Sequence, residues 1–106
     1  MLKALAKYER YDLVYDFITS TSEHSWTNMI WEGATACYEA WGKEQKWNTS
    51  LCHPWASSPI ILIIEDLIGI HFEAGKLKDI TPHLPKVLSK IKINVSIQDQ
   101  TINLDI

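Results

Sequence analysis

The sequence predicts an α+β fold with helices first and strands last, the change falling near residue 72. Three observations predict it. Apolar residues recur at helical spacing over residues 2–18. A second apolar run, residues 60–68, begins directly behind Ser58 and Pro59. From residue 91 onward, apolar and polar residues alternate with period two.

Leu2, Leu5, Ala6 and Tyr8 predict a first helix over residues 2–9. Asp12 is the expected N-cap of a second short helix, whose apolar stripe is Leu13, Val14, Phe17 and Ile18. The polar run at residues 19–22 ends it. Residues 23–56 show no clean period, and a long irregular stretch in a small domain usually has a function. Ser58 is the expected N-cap of the next helix, and Pro59 suits its first position because the missing N–H costs nothing there. Residues 60–68 are apolar nearly all round, which predicts a buried helix, and Gly69 ends it. Glu65 and Asp66 are expected on opposite sides of that helix, one of them paired internally. Gly75, Pro82 and Pro85 mark residues 71–89 as a linker with one short strand near residues 76–80. Ile91, Ile93, Val95 and Ile97, then Ile102, Leu104 and Ile106, predict a β-hairpin joined through residues 98–101. An isolated hairpin is marginal in water. No obvious partner for its apolar face stands in the sequence, and neither half looks complete.

The chain has 106 residues and a net charge of −3. It has no basic stripe, which argues against nucleic acid as a partner. Lys76, Lys78, Lys86, Lys90 and Lys92 alternate with apolar residues, as on the solvated face of strands. The most apolar run is interrupted by Glu65 and Asp66 and is far shorter than the roughly 20 residues of a membrane span. The residues after Met1 lack the apolar core of a signal peptide, so a cytoplasmic location is expected if Met1 is a natural start. Cys37 and Cys52 do not make a disulfide framework, and buried free thiols are expected. Cys37, Cys52 and His53 lack metal-ligand spacing, so neither a metal nor another cofactor is expected.

Residues 23–55 hold all five tryptophans, both cysteines and two of the four histidines. Trp is costly to bury because its N–H needs a partner. Crowded indoles beside carboxylates and a histidine are the composition of a sugar site: indole faces stack on pyranose C–H faces, and carboxylates move protons at glycosidic oxygens. Taken singly, each Trp would be assigned to the rim of a core. Glu39 alone would be a solvated carboxylate, and His53 a half-buried histidine.

At GATACYEAW (33–41) and NTSLCHPWASSPI (48–60), the chain resembles the end of the catalytic domain of bacterial α-L-rhamnosidases and related six-hairpin glycosidases. The matching positions are Gly33, Ala34, Thr35, Glu39, Trp41, Ser50, Leu51 and His53. Tyr38 stands at an aromatic position of the family, and Cys52 replaces the Asn before the His. The resemblance implies that residues 1–71 are the last helices of an (α/α)6 barrel and residues 72–106 the first strands of a C-terminal β-sandwich. It implies a fragment of an inverting glycoside hydrolase acting on a carbohydrate, with Glu39 as general base and His53 in contact with the sugar. Trp41, Trp47 and Trp55 are candidates for the wall that stacks on it. Glu32 is expected to be structural. The family's general acid belongs upstream of these residues, so the chain is expected to be inactive alone and either to self-associate or to pair with the missing remainder of the barrel. The alternatives are a non-catalytic carbohydrate-binding or interaction module, and an unrelated small protein in which all five indoles are core.

Overall fold

The computed structural model describes residues 1–88, 90–97 and 99–106. It is an α+β chain with two small antiparallel sheets. The first helix, α1, spans Leu2–Lys7, and α2 spans Tyr11–Ile18. Arg10, not Asp12, is the N-cap of α2. Asp12 lies in the first turn, where a negative charge suits the helix dipole, and it pairs with the Arg10 guanidinium at 2.8 Å. Val14 is fully buried and packs with Ala6 and Leu67 in a first core cluster. Phe17 is 45% exposed, so the expected stripe is narrower than the sequence suggests.

A third helix, α3, spans Trp26–Trp31 inside the stretch read as irregular. The Ser25 hydroxyl accepts a hydrogen bond from the Asn28 N–H at 3.2 Å and caps it. At its other end Gly33 adopts φ +78°. Gly33 N–H donates to Ile30 O and Ala34 N–H to Met29 O, both at 2.9 Å, a Schellman ending. The first residue of the motif thus has a backbone reason to be glycine.

A 3-10 turn, Pro54–Ser57, leads into α4 at Ser58–Ile61, and a π-helical turn continues it over Leu62–Leu67. Ser57 takes the N-cap position expected of Ser58, and its side chain makes no capping bond. The widened turn shows in the Ile68 N–H to Ile63 O bond of 2.8 Å, five residues back. Pro59, Leu62 and Leu67 are buried, but Ile60 and Ile61 are 59% and 57% exposed. The all-round burial expected of residues 60–68 is therefore wrong, because α1 and α2 cover this helix from one side. Glu65 and Asp66 do not oppose each other either. Successive residues are only about 100° apart around a helix, and Lys3 Nζ reaches both carboxylates, at 3.0 and 2.8 Å.

Gly69 ends the helix at φ +73°. Two hairpins follow. In the first, β1 (Ile70–Glu73) pairs with β2 (Lys76–Ile80) through Ala74 and Gly75, both at positive φ, a tight turn that matches strand twist. The strand near residues 76–80 was expected; β1 was not. In the second, β3 (Lys92–Ile97) pairs with β4 (Gln100–Asp105), setting Ile93 against Leu104 and Val95 against Ile102. Gln98, in the predicted connection, lies outside the described residues. Ile68, Ile70 and Ile102 form a second core cluster, with Phe72, Ile80 and Ile93 against it. The tail hairpin does have a partner, then: the first hairpin and the end of the helix. The radius of gyration is 15.3 Å, against about 13 Å for a compact chain of this length.

Candidate functional site

The irregular segment between α3 and the 3-10 turn folds back on itself. Glu39 N–H donates to Ser50 O at 2.8 Å, and His53 N–H to Cys37 O at 2.7 Å. These bonds bring residues 37–39 alongside residues 50–53. Ala40 N–H adds a bond to Thr49 Oγ1 at 3.3 Å, which closes the loop between them. The loop is anchored to α3 from the other side. Asn28 Nδ2 donates to Trp41 O at 2.9 Å, and Lys43 N–H donates to Glu32 Oε2 at 2.9 Å. Gly42 sits in the crook, where a Cβ would come within 2.9 Å of Glu32 Oε1. Glu32 is thus a structural carboxylate, as expected.

Glu39 stands at the edge of an open trough of about 510 Å³. Trp26, Trp41, Trp55, Tyr38 and Leu62 form much of its apolar wall, and Lys3 also lines it. Trp26 and Trp41 meet edge to face, with ring centroids 4.8 Å apart. Trp26 Nε1–H donates to Ala56 O at 2.8 Å, so its polar atom is satisfied and its ring is held against the trough. Trp55 is 89% exposed and offers an open face. An apolar concavity with a few polar groups at one edge is the usual form of a small-ligand site.

Of the side chains singled out in the sequence, Glu39, Trp41 and Trp55 border this trough. Trp47 borders a separate hollow with Lys43, Lys46 and Asn48. His53 lines neither, but it lies near enough to Glu39 to act on its charge. Trp31, Trp47 and Trp55 are all exposed, so the indoles do not form a common core. Both cysteines are free; Cys37 is half-buried, but Cys52 is exposed, not buried as expected, because it lies on the outer side of the loop closure. Among the described residues no group of three His, Cys, Asp or Glu is placed to hold a metal ion. No helix among them is long and apolar enough to cross a membrane.

Both oxygens of Glu39 are engaged. Lys46 Nζ bonds Oε1, and Ser50 N–H donates to Oε2 at 3.2 Å. The Lys46 ammonium, the Ser50 N–H and the nearby His53 hold the carboxyl below the usual glutamate range. It is ionised at neutral pH. The sequence reading missed Lys46 and Trp26. For Lys46 there was no signal, since only the loop closure brings it to Glu39. For Trp26 there was one: Ser25 as a cap, then Trp26, Met29 and Ile30 at helical spacing, then Gly33.

A trough walled by indoles, with an ionised carboxylate at its edge, has the chemistry of a carbohydrate site. Residues 1–67 match the bacterial alpha-L-rhamnosidase 6 hairpin glycosidase domain, and the chain belongs to that family. Neither the curated proteins nor the solved structures contain a match to it.

Proposed function

We propose that the chain is part of an inverting glycoside hydrolase of the α-L-rhamnosidase kind, and that it supplies the general base and part of the sugar-binding wall. The observation that carries this is the position of Glu39: the one motif carboxylate lines the indole-walled trough, ionised and fixed by a backbone N–H. In the reaction, Glu39 takes a proton from water as the water oxygen attacks the anomeric carbon. The glycosidic bond breaks at the same time, and its oxygen is protonated by an acid on the opposite side, roughly 6.5–9.5 Å away. Trp55 and Trp41 offer the apolar surface against which the sugar ring lies, and His53 supports the Glu39 side. Residues 1–71 form the last part of the helical barrel, and residues 72–106 begin the β-sandwich that follows it. The exposed apolar residues Ile30, Trp31, Ile60 and Ile61 are the surface that the remaining barrel helices cover; without them, a second copy of the chain takes their place.

The test has two parts. Methyl α-L-rhamnoside is titrated into the purified chain, with Glu39 and Trp55 followed by NMR, and the chain is assayed against aryl α-L-rhamnosides while its mass in solution is measured. Saturable perturbation of Glu39 and Trp55 without turnover is expected. An undisturbed trough would refute the sugar site, and turnover by a monomer would refute the missing acid. In the complete enzyme, Glu39→Gln lowers turnover by ~10²–10⁴-fold, the usual loss for a general base.

A further inference from the structure

We propose that Lys46 is the positioning residue of Glu39, closing the loop over residues 40–49 onto the carboxylate and fixing its plane at the edge of the trough. This rests on reading Glu39 as the base. Three bonds converge on one short stretch. Glu39 N–H is tied to Ser50 O, Ser50 N–H returns to Oε2, and Lys46 reaches Oε1 from the middle of the loop. With a donor on each oxygen, the carboxylate cannot rotate about its last bond without losing both.

Stability alone is a poor reason for the arrangement. Both side chains are partly open, 49% for Lys46 and 32% for Glu39, and an exposed ion pair contributes little to stability. The pair does not block the chemistry. A carboxylate oxygen has two lone pairs, so Oε1 can accept from Lys46 and from water together. Other charges near Glu39 do not duplicate the role. His53 acts on it only through space. Lys3, in the same trough, is held by Glu65 and Asp66. Lys46 also borders the neighbouring hollow with Trp47, so the bond joins the two concavities through a single side chain.

The test follows the carboxyl carbon of Glu39 by NMR across an acid titration of the 106-residue chain, in the wild type, Lys46→Met and Lys46→Arg. Backbone spectra verify that each variant is folded, which the exposure of Lys46 favours. The Lys46→Met midpoint is expected to rise toward that of an ordinary glutamate, while Lys46→Arg, which keeps the charge and the reach, keeps it low. An unmoved midpoint in Lys46→Met overturns the proposal, as does an Arg variant that behaves like Met. Methyl α-L-rhamnoside is added to the same samples to separate the two readings. If the midpoint moves but the sugar leaves Glu39 undisturbed, the pairing stands and Glu39 loses its place in a sugar site, so Lys46 positions no base.

Discussion

Gly69→Ala tests the joint between the helices and the strands. Gly69 is at φ +73°, and a Cβ there would lie 1.8 Å from the carbonyl oxygen of Thr81. The obstacle is backbone, so no side chain can swing aside. Reaching even the 3.0 Å below which real Cβ contacts are essentially never found requires a displacement of 1.2 Å. That displacement breaks the Thr81 N–H to Gly69 O bond, now 2.8 Å long. The left-handed conformation costs an alanine ~1–2 kcal/mol, and the lost hydrogen bond costs about 1 kcal/mol more. Ile68 and Ile70 flank the site and both belong to the second core cluster, so the shift also disturbs packing. A total of ~3 kcal/mol is a large part of the roughly 5–15 kcal/mol that holds a domain of this size together.

Gly33→Ala is the control. Gly33 has nearly the same φ, +78°, but nothing lies within 4 Å of its would-be Cβ. Only the conformational cost of ~1–2 kcal/mol applies there. Urea unfolding of both variants, followed by far-UV ellipticity, is expected to show Gly69→Ala clearly the more damaging. Equal losses, within ~0.5 kcal/mol of each other, would refute the close approach of residues 69 and 81.

Burial separates two isoleucines in the same part of the chain. Ile70 is fully buried between the hairpins and Ile60 is 59% exposed. Ile70→Ala is expected to cost ~2–5 kcal/mol and Ile60→Ala no more than ~0.5 kcal/mol, read from the same unfolding curves. The Glu39–Lys46 pair predicts a pH dependence. The folded carboxyl titrates below its unfolded value, so the pair's stabilisation is complete above the ordinary glutamate pKa and is lost as pH falls through the lowered folded value. Wild type and Lys46→Met should therefore differ in denaturation midpoint at neutral pH and converge in strong acid. A difference that persists in acid would show that Lys46 acts through packing and not through the Glu39 charge.

Local signals were legible where the local rule and the tertiary outcome agree. Alternation from residue 91 gave the tail hairpin, because side-chain period two leaves one face to bury whatever the partner is. Gly69 was read as a helix end, but its second reason, the approach of residue 81, involves a contact no local pattern shows. The first strand of the opening hairpin was missed because Ile70–Glu73 has only four residues and follows a helix without a break in hydrophobicity. The helix over Trp26–Trp31 is hidden for a related reason: six residues are too few to show a helical period, and only its cap, Ser25, and its closing Gly33 mark it. Burial was the least legible property. Periodicity says which face of a helix is apolar; whether something covers that face depends on the neighbours, and Ile60 and Ile61 stay more than half exposed.

Under the proposed function, position outweighs residue type in separating the two motif-proximal glutamates. Glu32 and Glu39 each accept a backbone N–H from the loop over residues 40–49 or its far flank, Glu32 from Lys43 and Glu39 from Ser50. Each is also served by a lysine: Lys43 Nζ bonds the backbone oxygen of Glu32, and Lys46 Nζ bonds the carboxylate of Glu39. The likeness ends at the carboxylate itself. Glu32 turns its oxygens into the crook of the loop, toward Asn28 and Gly42, and does not line the trough. Glu39 lines the indole-walled trough, with its oxygens on the Lys46 ammonium and the Ser50 N–H. A base must reach the water it deprotonates, at about 2.6–3.2 Å. Under the proposed function, a place on the trough is what separates two otherwise similar carboxylates, and it favours the one that the motif also marks.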